Sequence, residues 1–250
     1  MKNVEWFANW FDTPYYHILY KHRDYSEAES FINKLLEYLK IDKKAKILDL
    51  ACGKGRHAYF IAQKAFEVWG LDLSEQSIAW AKENYHLNNL HFDVHDMREL
   101  YTKEKFDYVF NFFTSFGYFS NSEENQAVIH AMQKSLKKDG TIVLDYLNTE
   151  FALRQLVKEE EKLVDGIHFT IEKRLEKEFI VKNISFEDKG KKFNFEERVH
   201  ALSLADFQSF FKSANLELVQ IFGSYNLESF DVDKSERLIM IVKHANGPTT

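Results

Sequence analysis

The residues with the clearest chemical potential form a glycine-rich turn near the start of the chain. The apolar run at 46–50 is typical of a buried strand, and Gly53 and Gly55 follow it just before a helical pattern begins. Glycine lets the backbone bend tightly and approach a ligand without a Cβ clash. A helix that starts there directs free N–H groups toward that ligand. These residues predict a site for a nucleotide-like cofactor.

The glycine spacing alone leaves the cofactor open. Gly53 and Gly55, with Ala58 in the third position, satisfy the dinucleotide fingerprint, and Asp72 ends the next predicted strand as its ribose acid. An NAD-dependent oxidoreductase is therefore an alternative at this point.

Two acidic positions favour a cofactor that contains methionine. Asp49 lies inside the first predicted strand, where a carboxylate is costly to bury without a partner. The cationic amino group of a methionine moiety would supply that partner. Asp96 and Met97 follow the third predicted strand, where an adenine ring could be held. Nicotinamide binding requires neither feature.

With these residues in place, the chain resembles the class I S-adenosylmethionine (SAM) dependent methyltransferases. The resemblance is carried by four segments in register, at 49–55, 70–74, 95–98 and 106–111. It departs from the family pattern at Ala51, which replaces the usual first glycine of the turn. It implies SAM as the cofactor and methyl transfer as the activity.

A finer resemblance lies in Thr114-Ser-Phe-Gly-Tyr118. This segment looks most like the small-molecule N-methyltransferases, such as amino-sugar dimethyltransferases and glycine methyltransferases. It favours a small-molecule or peptide amine as the methyl acceptor. An oxygen nucleophile is the second possibility, and a non-catalytic SAM-binding module is a third.

The expected cofactor contacts follow from the motifs. A carboxylate presents two acceptor oxygens, so Asp72 suits the ribose diol. Asp96 should accept from the adenine amino group while Met97 packs on the ring. Asn111 and Phe112 should line the site of methyl transfer. The full set predicted to contact the cofactor is Tyr16, Tyr20, Arg23, Asp49, Ala51, Gly53, Gly55, His57, Asp72, Leu73, Asp96, Met97, Asn111 and Phe112.

Four members of that set rest on weaker arguments. Arg23 could pair bidentately with the methionine carboxylate, and Tyr16 and Tyr20 share one helix face near it. Their alternative is a surface arginine with packed tyrosines. His57 could contact the carboxylate end of the cofactor or cap the helix that it opens.

The acceptor site is expected beyond the fourth and fifth strands. Its predicted walls are 114–118, 146–148 and an antiparallel β insertion, and they make a pocket that is aromatic and uncharged at its base. Tyr118 and Asn148 are the residues predicted to act on the acceptor. Tyr118, His168 and His200 are alternative bases for removing a proton from an incoming amine.

The element pattern predicts an α/β fold with a doubly wound, mostly parallel, seven-stranded sheet. Strands near 46–51, 67–72, 90–94, 107–113 and 141–147 alternate with helices, which predicts parallel pairing. Lys137-Lys-Asp-Gly140 is expected to close a helix near 123–137. A short charged helix at 151–161 and three antiparallel strands follow. The last two strands, at 216–222 and 237–243, are expected to finish the sheet.

These elements divide the chain into four predicted regions. They are an N-terminal aromatic lid and helix (1–45), a SAM-binding core (46–162), the antiparallel β insertion on the substrate side (163–200) and a C-terminal helix with the final strands (201–250). The alternative for the aromatic segment at 1–25 is a segment stapled to the core.

Composition narrows the function classes. The net charge of −6 argues against nucleic acid as a partner. Cys52 is the only cysteine, which fits a reducing cytoplasm. No HxxxH-type histidine pair or dense His/Cys/Asp cluster predicts a metal. No apolar run is long enough to span a bilayer, so no membrane association is expected.

Overall fold

The computed structural model describes residues 6–21 and 25–245. The predicted cofactor contact Arg23 lies outside the described residues. The strands are β1 (Lys46–Leu50), β2 (Glu67–Asp72), β3 (Leu90–Val94), β4 (Phe106–Asn111), β5 (Leu136–Leu147), β6 (Glu159–Val164), β7 (Ile167–Glu176), β8 (Phe179–Asp188), β9 (Lys191–His200), β10 (Leu216–Phe222) and β11 (Arg237–His244). The helices are α1 (Trp6–Phe11), α2 (Pro14–Leu19), α3 (Tyr25–Leu39), α4 (Arg56–Ala62), α5 (Glu75–Asn84), α6 (Ser122–Ser135), α7 (Thr149–Arg154) and α8 (Leu204–Ser213).

Seven strands form one sheet in the order β10-β11-β5-β4-β1-β2-β3. The five strands from β5 to β3 are parallel, and β11 and β10 add antiparallel strands at one side. This confirms the predicted doubly wound, mostly parallel sheet. The carboxyl ends of β1, β2, β3 and β4 therefore share one edge, which is where such sheets bind ligands.

Helices cover both faces of this sheet because successive strand residues point in opposite directions. On β1, Ile47 packs into a cluster with residues of α3, α4 and α5. Leu48 and Leu50 pack into a second cluster, with residues of α6 and α8. The helix α8 begins with a reciprocal capping box formed by Ser203 and Asp206.

The β insertion is larger than the sequence pattern predicts. It is a four-stranded antiparallel sheet in the order β6-β7-β8-β9, and it begins at Glu159. The prediction of a helix over 151–161 is wrong, because α7 ends at Arg154 and the glutamate run forms the edge strand β6. Glu160 is stabilised there by Lys173, whose Nζ lies 2.8 Å from its carboxylate.

The predicted helix stop at Gly140 is also wrong. The helix α6 ends at Ser135, and the next residue already begins β5, which runs through Gly140. A side chain at Gly140 would lie 2.6 Å from the side chain of Leu136. The glycine therefore serves close packing within the strand rather than helix termination.

The N-terminal helices α1 and α2 pack on the β insertion. Trp10 and Leu19 are buried in one cluster with Phe169, Ile184 and their neighbours. The ring centroids of Trp10 and Phe195 are 4.5 Å apart. We call the described residues 6–21 the lid, and this packing joins the lid to the insertion.

The glycine turn is packed tightly against β3. Gly55 has a φ of +74°, and a Cβ added there would overlap the ring of Phe92. The same ring lies 2.7 Å from the Cβ position of Gly70 on β2. Both glycines therefore let Phe92 fill the space beneath the turn.

A matched pair of glycines separates this packing from backbone strain. Gly190 also has a φ of +74°, but nothing lies within 4 Å of its Cβ position. We expect Gly190→Ala to cost about 1–2 kcal/mol of unfolding free energy, which is the left-handed penalty alone. Gly55→Ala should cost about 1–3 kcal/mol more through overpacking. Urea titrations of both variants measure the difference, and equal losses would contradict it.

Candidate active site

A cavity of about 500 Å³ lies at the carboxyl ends of β1 to β4. The lid, the glycine turn, the strand ends and the loop after β4 all contribute to it. Its lining residues are Phe7, Phe11, Tyr16, His17, Tyr20, Lys21, Asp49, Ala51, Cys52, Gly53, Lys54, Arg56, His57, Asp72, Leu73, Ser74, Ser77, Trp80, Tyr85, His95, Asp96, Met97, Phe112, Phe113, Ser115, Tyr118 and Phe119.

Asp49 places a buried carboxylate against this cavity. Its side chain is 3% exposed, and among the described residues its Oδ2 has no hydrogen-bond partner. Burial raises the pKa of Asp49 from 3.8 to about 7, nearby Asp72 adds to the increase, and the backbone of Ala58 opposes it. A buried carboxylate oxygen without a partner fits a cationic amino group, as the methionine moiety of SAM carries.

Asp72 holds the glycine turn in shape. Its Oδ2 accepts from the Gly53 N–H at 2.7 Å, and its Oδ1 accepts from the Ser74 N–H at 2.9 Å. Burial raises the pKa of Asp72 despite these two bonds. Each carboxylate oxygen can accept a second bond, so the side chain retains capacity for a diol. Ala51, in the family's glycine position, has a φ of +62°.

Asp96 lines the cavity with its carboxylate already paired. Arg98 donates to it from Nε at 3.0 Å and from Nη2 at 2.6 Å, and also reaches Glu124 at 2.6 Å. Burial raises the pKa of Asp96, but the hydrogen bonds from Arg98 outweigh it and leave the pKa below its ordinary value. The adenine contact predicted for Asp96 would therefore be made by an ion-paired carboxylate.

Two neutral histidines also line the cavity. Burial and the charge of Arg56 lower the pKa of His57 to about 3, and Arg56 Nη2 lies 2.7 Å from its Nε2. Burial and the charge of Lys54 lower the pKa of His17, which Asp12 partly offsets. Both imidazoles are therefore neutral at pH 7.

A partly buried carboxylate of the insertion binds two residues of the lid. Glu197 on β9 accepts from Trp10 Nε1 at 2.7 Å and from the Tyr20 hydroxyl at 2.8 Å. Lys182 on β8 lies 3.3 Å from the same carboxylate and also donates to the Tyr20 hydroxyl. Since Tyr16 and Tyr20 line the cavity, this cluster holds one of its walls.

Two hydrogen bonds also join the lid to the core. Asp12 accepts a hydrogen bond from Ser74, which caps α5 beside Asp72. Trp6 Nε1 donates to the backbone oxygen of Tyr118 at 3.4 Å. The lid therefore bridges the strand ends and the insertion. Whether it orders over a bound cofactor stays a prediction.

The loop after β4 supplies an aromatic wall. Phe112, Phe113 and Tyr118 line the cavity, and the Tyr118 hydroxyl donates to the Thr114 backbone oxygen at 2.6 Å. The ring centroids of Phe113 and His57 are 4.5 Å apart. This wall is aromatic and uncharged, as the sequence predicts. The cations that line the cavity, Lys21, Lys54 and Arg56, belong to the lid and the glycine turn.

Several predicted site residues lie away from the cavity. Asn111 is fully buried and donates to the Leu50 backbone oxygen at 2.9 Å. Asn148 donates to the backbone oxygens of Val232 and Ser235, at 2.9 and 2.8 Å, so it fastens the chain before β11 instead of facing an acceptor. Gly55 is part of the glycine turn but does not line the cavity.

Two of the three candidate bases are also displaced. His168 is on the exposed side of β7, 3.6 Å from Glu161. His200 is buried, with Nδ1 2.9 Å from Asn125. Tyr118 alone of the three lines the cavity.

Whether the insertion contacts an acceptor stays a prediction. No residue of β6 to β9 lines the cavity, because α1 and α2 pack between the insertion and the strand ends. Tyr146 is fully buried behind the loop as well.

Sequence reasoning missed several lid and turn residues that line the cavity. Phe7, Phe11, His17 and Lys21 belong to the aromatic segment whose lid role was predicted without these contacts. Lys54 lies inside the glycine motif itself. Its position between the two glycines of the turn could have identified Lys54 from the sequence. For the lid residues, the sequence offers no signal beyond their aromatic density.

Two absences apply to the described part of the chain. Residues 6–21 and 25–245 contain no group of three His, Cys, Asp or Glu side chains arranged to hold a metal ion. Over the same ranges, no helix has the length and apolar character needed to cross a membrane.

Comparison with known proteins places this site in a family. A family profile described as a methyltransferase domain matches residues 41–197. A protein of Geobacillus sp. (strain WCH70) with a provisional methyltransferase name is 32% identical over 147 residues, which are 58% of this chain and 58% of that protein. The match thus covers little more than half of that relative's length.

A second relative matches over more of its length. The dTDP-3-amino-3,4,6-trideoxy-alpha-D-glucopyranose N,N-dimethyltransferase of Streptomyces venezuelae is 26% identical, with 80% of this chain and 87% of the enzyme covered. A SAM-dependent methyltransferase from Clostridium acetobutylicum ATCC 824 has a similar fold, with a TM-score of 0.78 at 21% identity. That superposition covers 93% of this chain and 96% of the other.

The buried carboxylate leads to a pH-dependent prediction. A ligand amino group binds the ionised form of Asp49, so below pH 7 its binding must release a proton from this carboxyl group. We expect the affinity for S-adenosylhomocysteine, the demethylated product of SAM, to increase from pH 5 to pH 7 by up to about ten-fold per unit. Calorimetry across this range measures the change.

Asp49→Asn is the control for that titration. It should lower the affinity at pH 7 by about ten-fold or more and flatten the pH dependence. The raised pKa means that ligand-free stability falls as pH rises from about 4 to 7, so at pH 8 the variant should unfold at a higher temperature than the wild type. A wild-type affinity that does not change with pH would refute the role.

The lid contacts generate a separate prediction. Glu197→Ala removes the acceptor of Trp10 and Tyr20, so tryptic cleavage after Lys21 should become several-fold faster. Adding S-adenosylhomocysteine should slow this cleavage in the wild type. Glu187→Ala, at an exposed position of β8, is the matched control and should cleave at the wild-type rate. Equal rates for both variants would show that Glu197 does not hold the lid.

Proposed function

This chain belongs to the SAM-dependent methyltransferases, and from that premise we propose that it methylates the nitrogen of a small-molecule amine. When bound, SAM supplies an electrophilic methyl group on a positively charged sulfonium. The protein must then orient two partners and exclude water. Its residues divide these tasks between two sides of one cavity.

The strand-end side is suited to the cofactor. Asp49 offers a buried oxygen to an amino group, and Asp72 keeps the glycine turn in place with capacity left for a ribose. Met97 and Leu73 add apolar surface beside them. The oxygen of Asp49 is the observation that carries this assignment, because nicotinamide binding gives no reason to bury it.

The loop side is suited to an uncharged amine. Phe112, Phe113 and Tyr118 present aromatic faces, and the described cavity lining has no carboxylate on this loop. The Tyr118 hydroxyl already donates to a backbone oxygen, so in this arrangement it is no base. His17 and His57 are both neutral and line the cavity. The pKa of His57, lowered to about 3, makes it a weak base, so His17 is the better suited of the two to accept a proton.

The relatives support nitrogen as the nucleophile. The Streptomyces venezuelae enzyme is named for dimethylation of an amino sugar, and its match extends over most of this chain. An aromatic wall also suits a methylated amine, because a ring face attracts its positive charge.

Methyl transfer can be tested with labelled SAM. The protein is incubated with a panel of small amines, including amino sugars and amino acids, and with the alcohols of matching skeletons. We expect label in the amines alone. Label in the alcohols would indicate an O-methyltransferase. Binding of S-adenosylhomocysteine without transfer to any compound would favour a non-catalytic SAM-binding module.

The aromatic wall gives a residue-level prediction for this reaction. Tyr118→Ala should lower turnover of the best amine by about ten-fold or more, because the acceptor loses a positioning surface. Tyr118→Phe keeps the ring and is the matched control, expected to retain most turnover. Both variants should bind S-adenosylhomocysteine as the wild type does. Parallel losses of turnover and cofactor affinity would show that Tyr118 does not serve the acceptor.

A further inference from the structure

Two consecutive residues of the loop after β4 have a backbone conformation that L-residues rarely adopt. Phe113 and Thr114 both have a φ of +59°. For a β-branched residue such as threonine this conformation is a genuine outlier. It persists only where the surrounding structure imposes it, and such residues concentrate at functional sites.

One constraint on this pair comes from Asp145 on β5. Asp145 is fully buried, and its Oδ2 accepts from the Phe113 N–H at 2.7 Å. Its backbone oxygen accepts from the Thr114 N–H at 3.2 Å. Both amides of the left-handed pair are therefore bonded to a single residue of the core sheet.

The second constraint comes from Arg237 at the start of β11. Its Nε and Nη2 donate to Oδ1 of Asp145 at 2.9 and 2.7 Å, and Nη2 also donates to the Thr114 hydroxyl at 2.9 Å. Arg237 therefore bonds both to the carboxylate that holds Phe113 and to the side chain of Thr114. A lysine has no fork of donors that could do this.

The left-handed pair transmits this constraint to the cavity. The Thr114 backbone oxygen accepts the Tyr118 hydroxyl at 2.6 Å, and the Phe113 ring packs on His57. Asp145 and Arg237 themselves do not line the cavity. They can influence an acceptor only through the residues that they hold.

We infer that Asp145 and Arg237 are positioning residues, which force 113–114 into the left-handed conformation and so set the acceptor wall against the cofactor. This inference rests on the proposed function. It assigns to β5 and β11 a role in acceptor recognition, although neither strand contributes a residue to the cavity.

The test uses three variants of the full chain. Arg237→Lys keeps the charge but removes the two-pronged contact. Thr114→Val removes only the hydroxyl that Arg237 reaches, so it leaves the buried ion pair in place. Arg154→Lys is the matched control, because Arg154 pairs with Asp233 at 3.1 Å on the surface. Each is measured for S-adenosylhomocysteine affinity, acceptor kinetics and amide hydrogen exchange at 113–114.

We expect Arg237→Lys and Thr114→Val to bind S-adenosylhomocysteine within about two-fold of the wild type. Their kcat/KM for the amine should fall by about ten-fold or more, since a displaced wall misplaces the acceptor. The amides of 113 and 114 should exchange faster in both. Arg237→Lys combined with Thr114→Gly should recover part of the loss, because glycine adopts this φ without strain.

Either of two results would overturn the inference while leaving the proposed function intact. One is unchanged exchange at 113–114 in Arg237→Lys and Thr114→Val, which decides the matter even before an acceptor is known. The other is a loss of turnover matched by an equal loss of S-adenosylhomocysteine affinity. Failure of the wild type to bind S-adenosylhomocysteine would instead contradict the proposed function.

Discussion

The cost of burying Asp49 is the constraint on which the rest of the site depends. A carboxylate in the interior is unfavourable unless it is paired, and here one of its oxygens has no partner among the described residues. The parallel sheet keeps it there because β1 is a central strand, with β4 on one side and β2 on the other. Asp72 lies near enough to add to the increase in the pKa of Asp49. The buried carboxylate therefore lowers the stability of the ligand-free fold. A cationic group of a bound ligand would pair with it and offset that loss.

Hydrogen bonds join the lid to the insertion, although the two segments are far apart in the sequence. The aromatic density of the first residues and the alternating pattern of the insertion are separate features in the sequence. In the fold they share Glu197, which accepts from Trp10 and Tyr20 and pairs with Lys182. The pairing of a carboxylate with a lysine and two neutral donors satisfies a group that would otherwise be costly to bury. The insertion consequently acts on the cavity through the lid rather than by lining it.

The sequence predicts well what local periodicity and strand-end placement determine. The parallel sheet, the turn at Gly53, and Asp49 and Asp72 at one edge all follow from apolar runs and glycine spacing. It predicts poorly what depends on contacts distant in the chain. Asn148 follows a strand end just as Asp72 does, but backbone oxygens before β11 occupy its amide. The glutamate run at 159–161 looks helical on its own and becomes a strand only because β7 pairs with it.

Charges of both signs line the cavity, and different elements carry them. The carboxylates Asp49, Asp72 and Asp96 belong to the ends of β1, β2 and β3, whereas Lys54 and Arg56 belong to the glycine turn. A ligand with both an amino and a carboxylate group can therefore meet a charge of opposite sign at each of its ends. His17 and His57 stay neutral beside those cations, so they add no further positive charge at pH 7. The aromatic wall beyond them is uncharged. The charged lining therefore suits a zwitterionic cofactor, and ring faces and shape are left to select the acceptor.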